Sequence, residues 1–117
     1  MKPAPVKPDV AFEDLEKLDV RVGTIMQVVD MANSKKLVKL VVDFGDHDRS
    51  IVVGMKLERD NPGEIEGKQA LFILNLPEKN MAGELSQGML FDIGYSDGIN
   101  PCLAVPEEAV PNGTRAG

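Results

Sequence analysis

The stretch from Asp19 to Val29 alternates with period two, and this pattern restricts the fold more than any other. Val20, Val22, Thr24, Met26 and Val28 share one side, while Arg21, Gly23, Ile25, Gln27 and Val29 share the other. A helix would scatter these positions around its surface. A strand sorts them onto two faces. Gly23, in the interior, is the expected place for the bulge or bend that a closing barrel needs.

Partners for this strand follow along the chain. Leu37–Phe44 carries Val38, Leu40, Val42 and Phe44 inward and Lys39 and Asp43 outward. Gly45–Asp48 is a turn cluster, and Arg49–Val53 returns as a short strand. Gln69–Asn75 is nearly all apolar and reads as a central strand ended by Pro77. Glu78–Gln87 reads as a loop around Gly83. Gly88–Ile93 reads as one strand with Met89, Phe91 and Ile93 on a common side, and Leu103–Val105 as a last short one. Helix is scarce. Phe12, Leu15 and Leu18 recur on one helical face behind a possible cap at Asp9, and Asn61-Pro62-Gly63-Glu64 has the cap, proline and acid of a single helical turn. Met1–Pro8 holds three prolines. Residues 1–11 therefore read as a flexible Pro-rich lead-in and 12–117 as one domain. The expected class is all-β: a five-stranded OB-fold barrel with short N-terminal and connecting helices.

Composition narrows the function. There is no Trp, one Tyr and four Phe, so the core must be aliphatic. Phe12, Phe44, Phe72 and Phe91 all fall at core-like positions, which argues against base stacking as the main source of affinity for a nucleic acid. The net charge of −6 argues against bulk electrostatic binding of phosphates. That charge is uneven: Arg115 is the only Lys or Arg after residue 80, where it faces five acids. No apolar run approaches the ~20 residues that span a bilayer, and the N-terminus lacks the apolar stretch of a signal peptide. Cys102, alone, fits a reducing compartment. A cytoplasmic protein without a membrane partner is expected.

Catalytic groups are sparse. His47, the only histidine, lies in the Asp46-His47-Asp48 turn, where convergent metal ligands from other segments are missing. Cys102 has no evident activating base and reads as a small buried hydrophobe. No phosphate-cradling glycine loop or nucleophile elbow is present. No enzyme activity, cofactor, metal or small-molecule substrate is expected. Binding is the better prospect. Asn33-Ser34-Lys35-Lys36 and Lys39 form a basic knuckle, and Arg49, Lys56 and Arg59 follow across the next hairpin. They are either a phosphate-contacting patch or lysines decorating exposed turns, and composition alone favours the turns. Arg21 is either a phosphate contact or a partner for a nearby carboxylate, with the ion pair favoured.

Several segments together resemble one family. Asp19-Val20-Arg21-Val22-Gly23-Thr24-Ile25 looks like the opening strand of the tRNA-binding domain family. This family includes the C-terminal appendage of methionyl-tRNA synthetase, free-standing structure-specific tRNA-binding proteins and the export-related chaperone CsaA. Asn33-Ser34-Lys35-Lys36-Leu37 resembles its Asn-Ala-Asp-Lys-Leu turn. Val42-Asp43-Phe44-Gly45 with Ile51-Val52-Val53-Gly54 is similar to its second hairpin, and Gly83…Ser86-Gln87-Gly88-Met89-Leu90 to its signature loop. Val110-Pro111-Asn112-Gly113-Thr114-Arg115 resembles its closing segment.

The resemblance implies an OB barrel, a homodimer, and tRNA gripped by shape and backbone without chemistry. Its alternative is a chaperone for unfolded or exported polypeptides. The implied tRNA-binding residues are Asn33, Lys35, Lys36, Lys39, Arg49, Ser86, Gln87 and Met89, with Met89 equally readable as core. Two departures stand out. Lys35 replaces the turn's usual Asp, and Asn80-Met81-Ala82-Gly83 stands where a basic loop is common. One adds a positive charge and the other removes two, which predicts a weakened phosphate grip.

Overall fold

The alternating stretch forms the longest strand, β1 (Val20–Asp30), in a computed structural model that describes all residues from Met1 to Gly117. A five-residue helix, α1 (Phe12–Glu16), precedes it, capped by Ala11 and not by Asp9. Residues 1–11 form no helix or strand and are exposed. The other strands are β2 (Val38–Asp43), β3 (Asp48–Val53), β4 (Gln69–Ile73), β5 (Lys79–Met81), β6 (Glu84–Ser86), β7 (Met89–Leu90), β8 (Asp92–Ile93) and β9 (Cys102–Leu103). A 3-10 turn at Pro62–Ile65 fills the charged connector. Its proline is at the start as expected, but the Asn61 side chain does not cap it.

Five strands make one antiparallel sheet in the order β3-β2-β1-β4-β7. β1 can serve two neighbours because it is long: Thr24–Asp30 pairs with β2, and Val20–Thr24 pairs with β4. The register shifts between Ile25 and Gln27, so the bulge lies at Met26 and not at Gly23. It also reverses the side-chain parity. Ile25 is fully buried, whereas simple alternation set it opposite Val28, which packs on the same core after the bulge. Gly23 has a different purpose. A Cβ there would come within 2.6 Å of Val42 and 2.7 Å of Phe44, so its bareness lets β2 and the core close in.

The sheet curls until its outer edges meet, and side chains complete the closure. The Gln87 N–H donates to Ser50 O (2.8 Å). Ser50 N–H donates to Gln87 Oε1 (3.0 Å). Val52 N–H donates to Ser86 Oγ (3.0 Å), whose hydroxyl donates to Gly88 O (3.1 Å). Arg49 Nη1 donates to Leu74 O (3.0 Å) and Gln87 O (3.2 Å). The barrel encloses an aliphatic core of Ile25, Leu40, Val42, Ile51 and Ile65, with Phe44 and Phe72 edge to face at 5.5 Å. Each large aliphatic removed from water contributes about 1.5–3 kcal/mol. The alternation read for β2 holds: Val38, Leu40 and Val42 are buried.

The C-terminal segment covers what β2 leaves bare. Gly113 N–H donates to Val22 O, Val22 N–H to Thr114 O, and Ala116 N–H to Val20 O, each within 2.8–2.9 Å. Gln69 and Thr24 hold Asn112 Oδ1 at 2.9 and 2.7 Å.

Four sequence expectations change. Glu78–Gln87 is a hairpin, β5–β6, and not a loop. Gly88–Ile93 divides, because β7 pairs with β4 while β8 pairs with β9. Phe12 and Phe91 are exposed, so only two of the four phenylalanines are core. Cys102 is exposed on β9 and is not a buried hydrophobe.

Candidate nucleic-acid interface

The basic knuckle is the turn from β1 to β2, and its backbone is tightly held. Ser34 Oγ accepts from the N–H groups of Lys36 (3.3 Å) and Leu37 (3.1 Å), a hydroxyl-closed turn. From the next segment Lys56 reaches under it. Its ammonium donates to Met31 O (2.9 Å) and Ser34 O (2.8 Å) and pairs with Asp30 Oδ1 (2.7 Å). An ammonium has three N–H donors, and all of them serve this turn. Met31, Leu37 and Val52 pack below as a small separate core. The exposed Lys35 and Lys36 therefore stand on a braced platform.

The second motif region comes to the same place. β5 and β6 are joined by Ala82 and Gly83, both at positive φ (52° and 89°), as a two-residue type I′ hairpin requires. Asn80 Oδ1 closes the tip by accepting from Gly83 N–H at 3.1 Å. Met81 packs on the Met31–Leu37–Val52 cluster. Asn33 Nδ2 donates to Ala82 O at 2.8 Å, and Lys39 Nζ lies 3.6 Å from Glu84 Oε2. Between turn and hairpin lies a shallow cleft of about 450 Å³, lined by Asn33, Lys39, Ala82 and Glu84 among others.

The eight candidate residues thus fall into three groups. Asn33, Lys35, Lys36 and Lys39 cluster at the knuckle. Arg49, Ser86 and Gln87 have their polar atoms engaged in closing the barrel, and Ser86 is 4% exposed. Strand closure accounts for Ser86 and Gln87 in the signature loop and for Arg49 on β3. Met89 is outside the core at 44% exposure, opposite Ile73 of the neighbouring strand. The wider basic face read from Arg49, Lys56 and Arg59 does not form, because Arg49 turns to the closure, Lys56 to the turn and Arg59 to Glu64 at 2.8 Å. Arg21 pairs with Asp19 at 2.9 Å, which holds the Asp19 carboxyl below its usual range.

Ala82 and Glu84 are the site residues that sequence reasoning missed, and Lys56, read there as part of a basic face, braces the turn instead. The Ala82-Gly83 pair was the available signal, but the flanking strands are three residues each, too short to display alternation. The bracing role of Lys56 gave no signal, since its partners lie 22–26 residues away.

No cluster of three or more metal-ligating side chains exists, and no helix is long and apolar enough to cross a membrane. A small OB-like barrel with a braced basic turn defines a binding module. Comparison with known proteins specifies it further. The family described as "Putative tRNA binding domain" matches residues 20–115, and the chain belongs to that family. It is 38% identical over 109 residues to a methionine–tRNA ligase of Archaeoglobus fulgidus, covering 93% of this chain but 16% of the ligase. In structure it is similar to a MetRS-related protein from Pyrococcus horikoshii, with TM-score 0.86, 35% identity, and 95% of this chain and all of the other covered. It is also similar to the chaperone CsaA of Bacillus anthracis, with TM-score 0.80, 27% identity, and 94% and 100% covered.

Proposed function

We propose that this chain binds tRNA by shape and backbone, without catalysis, as a homodimer. The observation that carries the reading is the pair Lys35–Lys36, exposed on a turn braced from below, in a chain of the tRNA-binding domain family. Ion pairs engage Lys17, Arg21, Lys39, Lys56 and Arg59, whereas Lys35 and Lys36 are in none and face outside anions. Phosphate contact by a preformed cation needs no ordering of the loop, so affinity is gained at lower entropic cost. Asn33 keeps its Oδ1 available to a ribose hydroxyl, a contact that distinguishes RNA from DNA. Phe44 and Phe72 are buried, which withholds them from base stacking.

The test is a fluorescence titration of unfractionated tRNA at low salt, with an unstructured RNA of equal length as competitor. Saturable binding that the unstructured RNA displaces poorly supports shape recognition. No binding at low salt contradicts it.

A second reading has its own support. Phe91, Ile93, Tyr95, Ile99 and Val105 are all exposed along the C-terminal segment, and a CsaA chaperone is among the structural relatives. Such a surface fits a second subunit or an unfolded polypeptide. Suppression of client aggregation by the wild-type protein favours the polypeptide reading. Absence of suppression excludes it.

A further inference from the structure

One acid in the cleft faces one base without fully engaging it. Glu84 opens β6, and its Oε2 is 3.6 Å from Lys39 Nζ. Charge-assisted N–H···O bonds run to 2.7–2.9 Å, so this pair is close enough for attraction and too long for a good hydrogen bond. The other acid of the cleft, Asp30, is already taken by Lys56 at 2.7 Å. The short hairpin and the Asn33–Ala82 bond hold Glu84 in place over Lys39. Glu84 and Lys39 both line the cleft, so a phosphate oxygen that approaches Lys39 there comes near the carboxylate.

We propose that Glu84 is an internal competitor for phosphate at Lys39 and so lowers and tunes the affinity of the knuckle. This rests on the tRNA reading above. In the free protein Lys39 is neutralised by Glu84, and binding at that point exchanges a carboxylate for a phosphate. Such an exchange releases little counterion from the nucleic acid beyond what Lys35 and Lys36 release. Removing the carboxylate converts Lys39 into an additional free cation. The geometry therefore makes Glu84 a determinant of affinity and of salt dependence, although its side chain is exposed (45%).

The experiment measures tRNA affinity across salt for wild type, Glu84→Gln, Glu108→Gln as a charge-matched control elsewhere, and Glu84→Gln with Lys39→Met. The expected result is that Glu84→Gln tightens binding more than Glu108→Gln does. Its log–log salt slope steepens by about one unit, so affinity falls an extra three- to fourfold, roughly, between 50 and 200 mM salt. With Lys39→Met present, the gain shrinks to the level of the control. Equal effects of Glu84→Gln and Glu108→Gln, with unchanged thermal midpoints, overturn the proposal. Lys35→Met/Lys36→Met is measured alongside. If that double variant loses binding while Glu84→Gln matches the control, the inference fails and the tRNA reading stands. If wild type binds no tRNA at low salt, both fall.

Discussion

Ala82 is the clearest point of stored strain. An L-residue with a side chain in the left-handed region costs about 1–2 kcal/mol, and Ala82 sits there at φ 52°. Asn tolerates that region better and is the preferred first residue of such a hairpin. Ala82→Asn should therefore raise stability by about 1 kcal/mol, read from the denaturant midpoint at unchanged slope. No change or a loss would mean that the Asn33–Ala82 bond was disturbed. Asp92 is a second informative residue. Burial raises its carboxyl pKa, and burial followed by the nearby Asp92 charge raises that of Glu58. An acid whose folded pKa is raised binds more protons folded than unfolded within that window, so stability falls as pH rises through it. Asp92→Asn should be more stable than wild type at pH 7, and the advantage should vanish as pH falls below the ordinary carboxylate range. An advantage that persists there, seen in thermal unfolding across pH, would locate its cause elsewhere. Asp92 could not be singled out in sequence, because burial depends on partners brought from other elements.

Among the elements, barrel closure between β3 and the segment before β7 depends most on side chains. Ser86 supplies one acceptor and one donor there while buried. Ser86→Ala leaves Val52 N–H and Gly88 C=O without partners, at a cost of about 1–3 kcal/mol. Chemical denaturation would detect this, and a loss below 0.5 kcal/mol would mean that water substitutes. The elements differ in how far sequence revealed them. β1, β2 and β4 are long and have one buried face, so alternation or an apolar run located each to within about two residues. β7 and β8 merged into one expected strand, since Met89, Phe91 and Ile93 alternate across a break that only the change of partner creates. Ser86 and Gln87 drew attention through a motif, but whether such polar side chains point outward or close a barrel is a tertiary fact. The Asn33–Lys36 knuckle was legible because turn residues and lysines adjoin in sequence. The hairpin beside it was not, because its strands are too short to show a period.

Across the whole molecule, the −6 charge and the basic turn coexist because the cations are localised and partly paired. α1 and the C-terminal segment carry exposed apolar side chains, among them Phe12, Leu15, Ile93 and Tyr95, all more than half exposed. The proposed homodimer would cover such surface. Light scattering at micromolar concentration should give twice the chain mass, and Ile93→Asp should give the single chain mass with the fold intact. A wild-type monomer would contradict it. The central claim is that Lys35 and Lys36 meet phosphates on tRNA. The most direct measurement is the slope of log affinity against log salt for wild type and for Lys35→Met/Lys36→Met. The expected slope is shallower by about two units in the double variant, with weaker binding to all tRNAs alike. A slope and affinity unchanged by removing both lysines would contradict it.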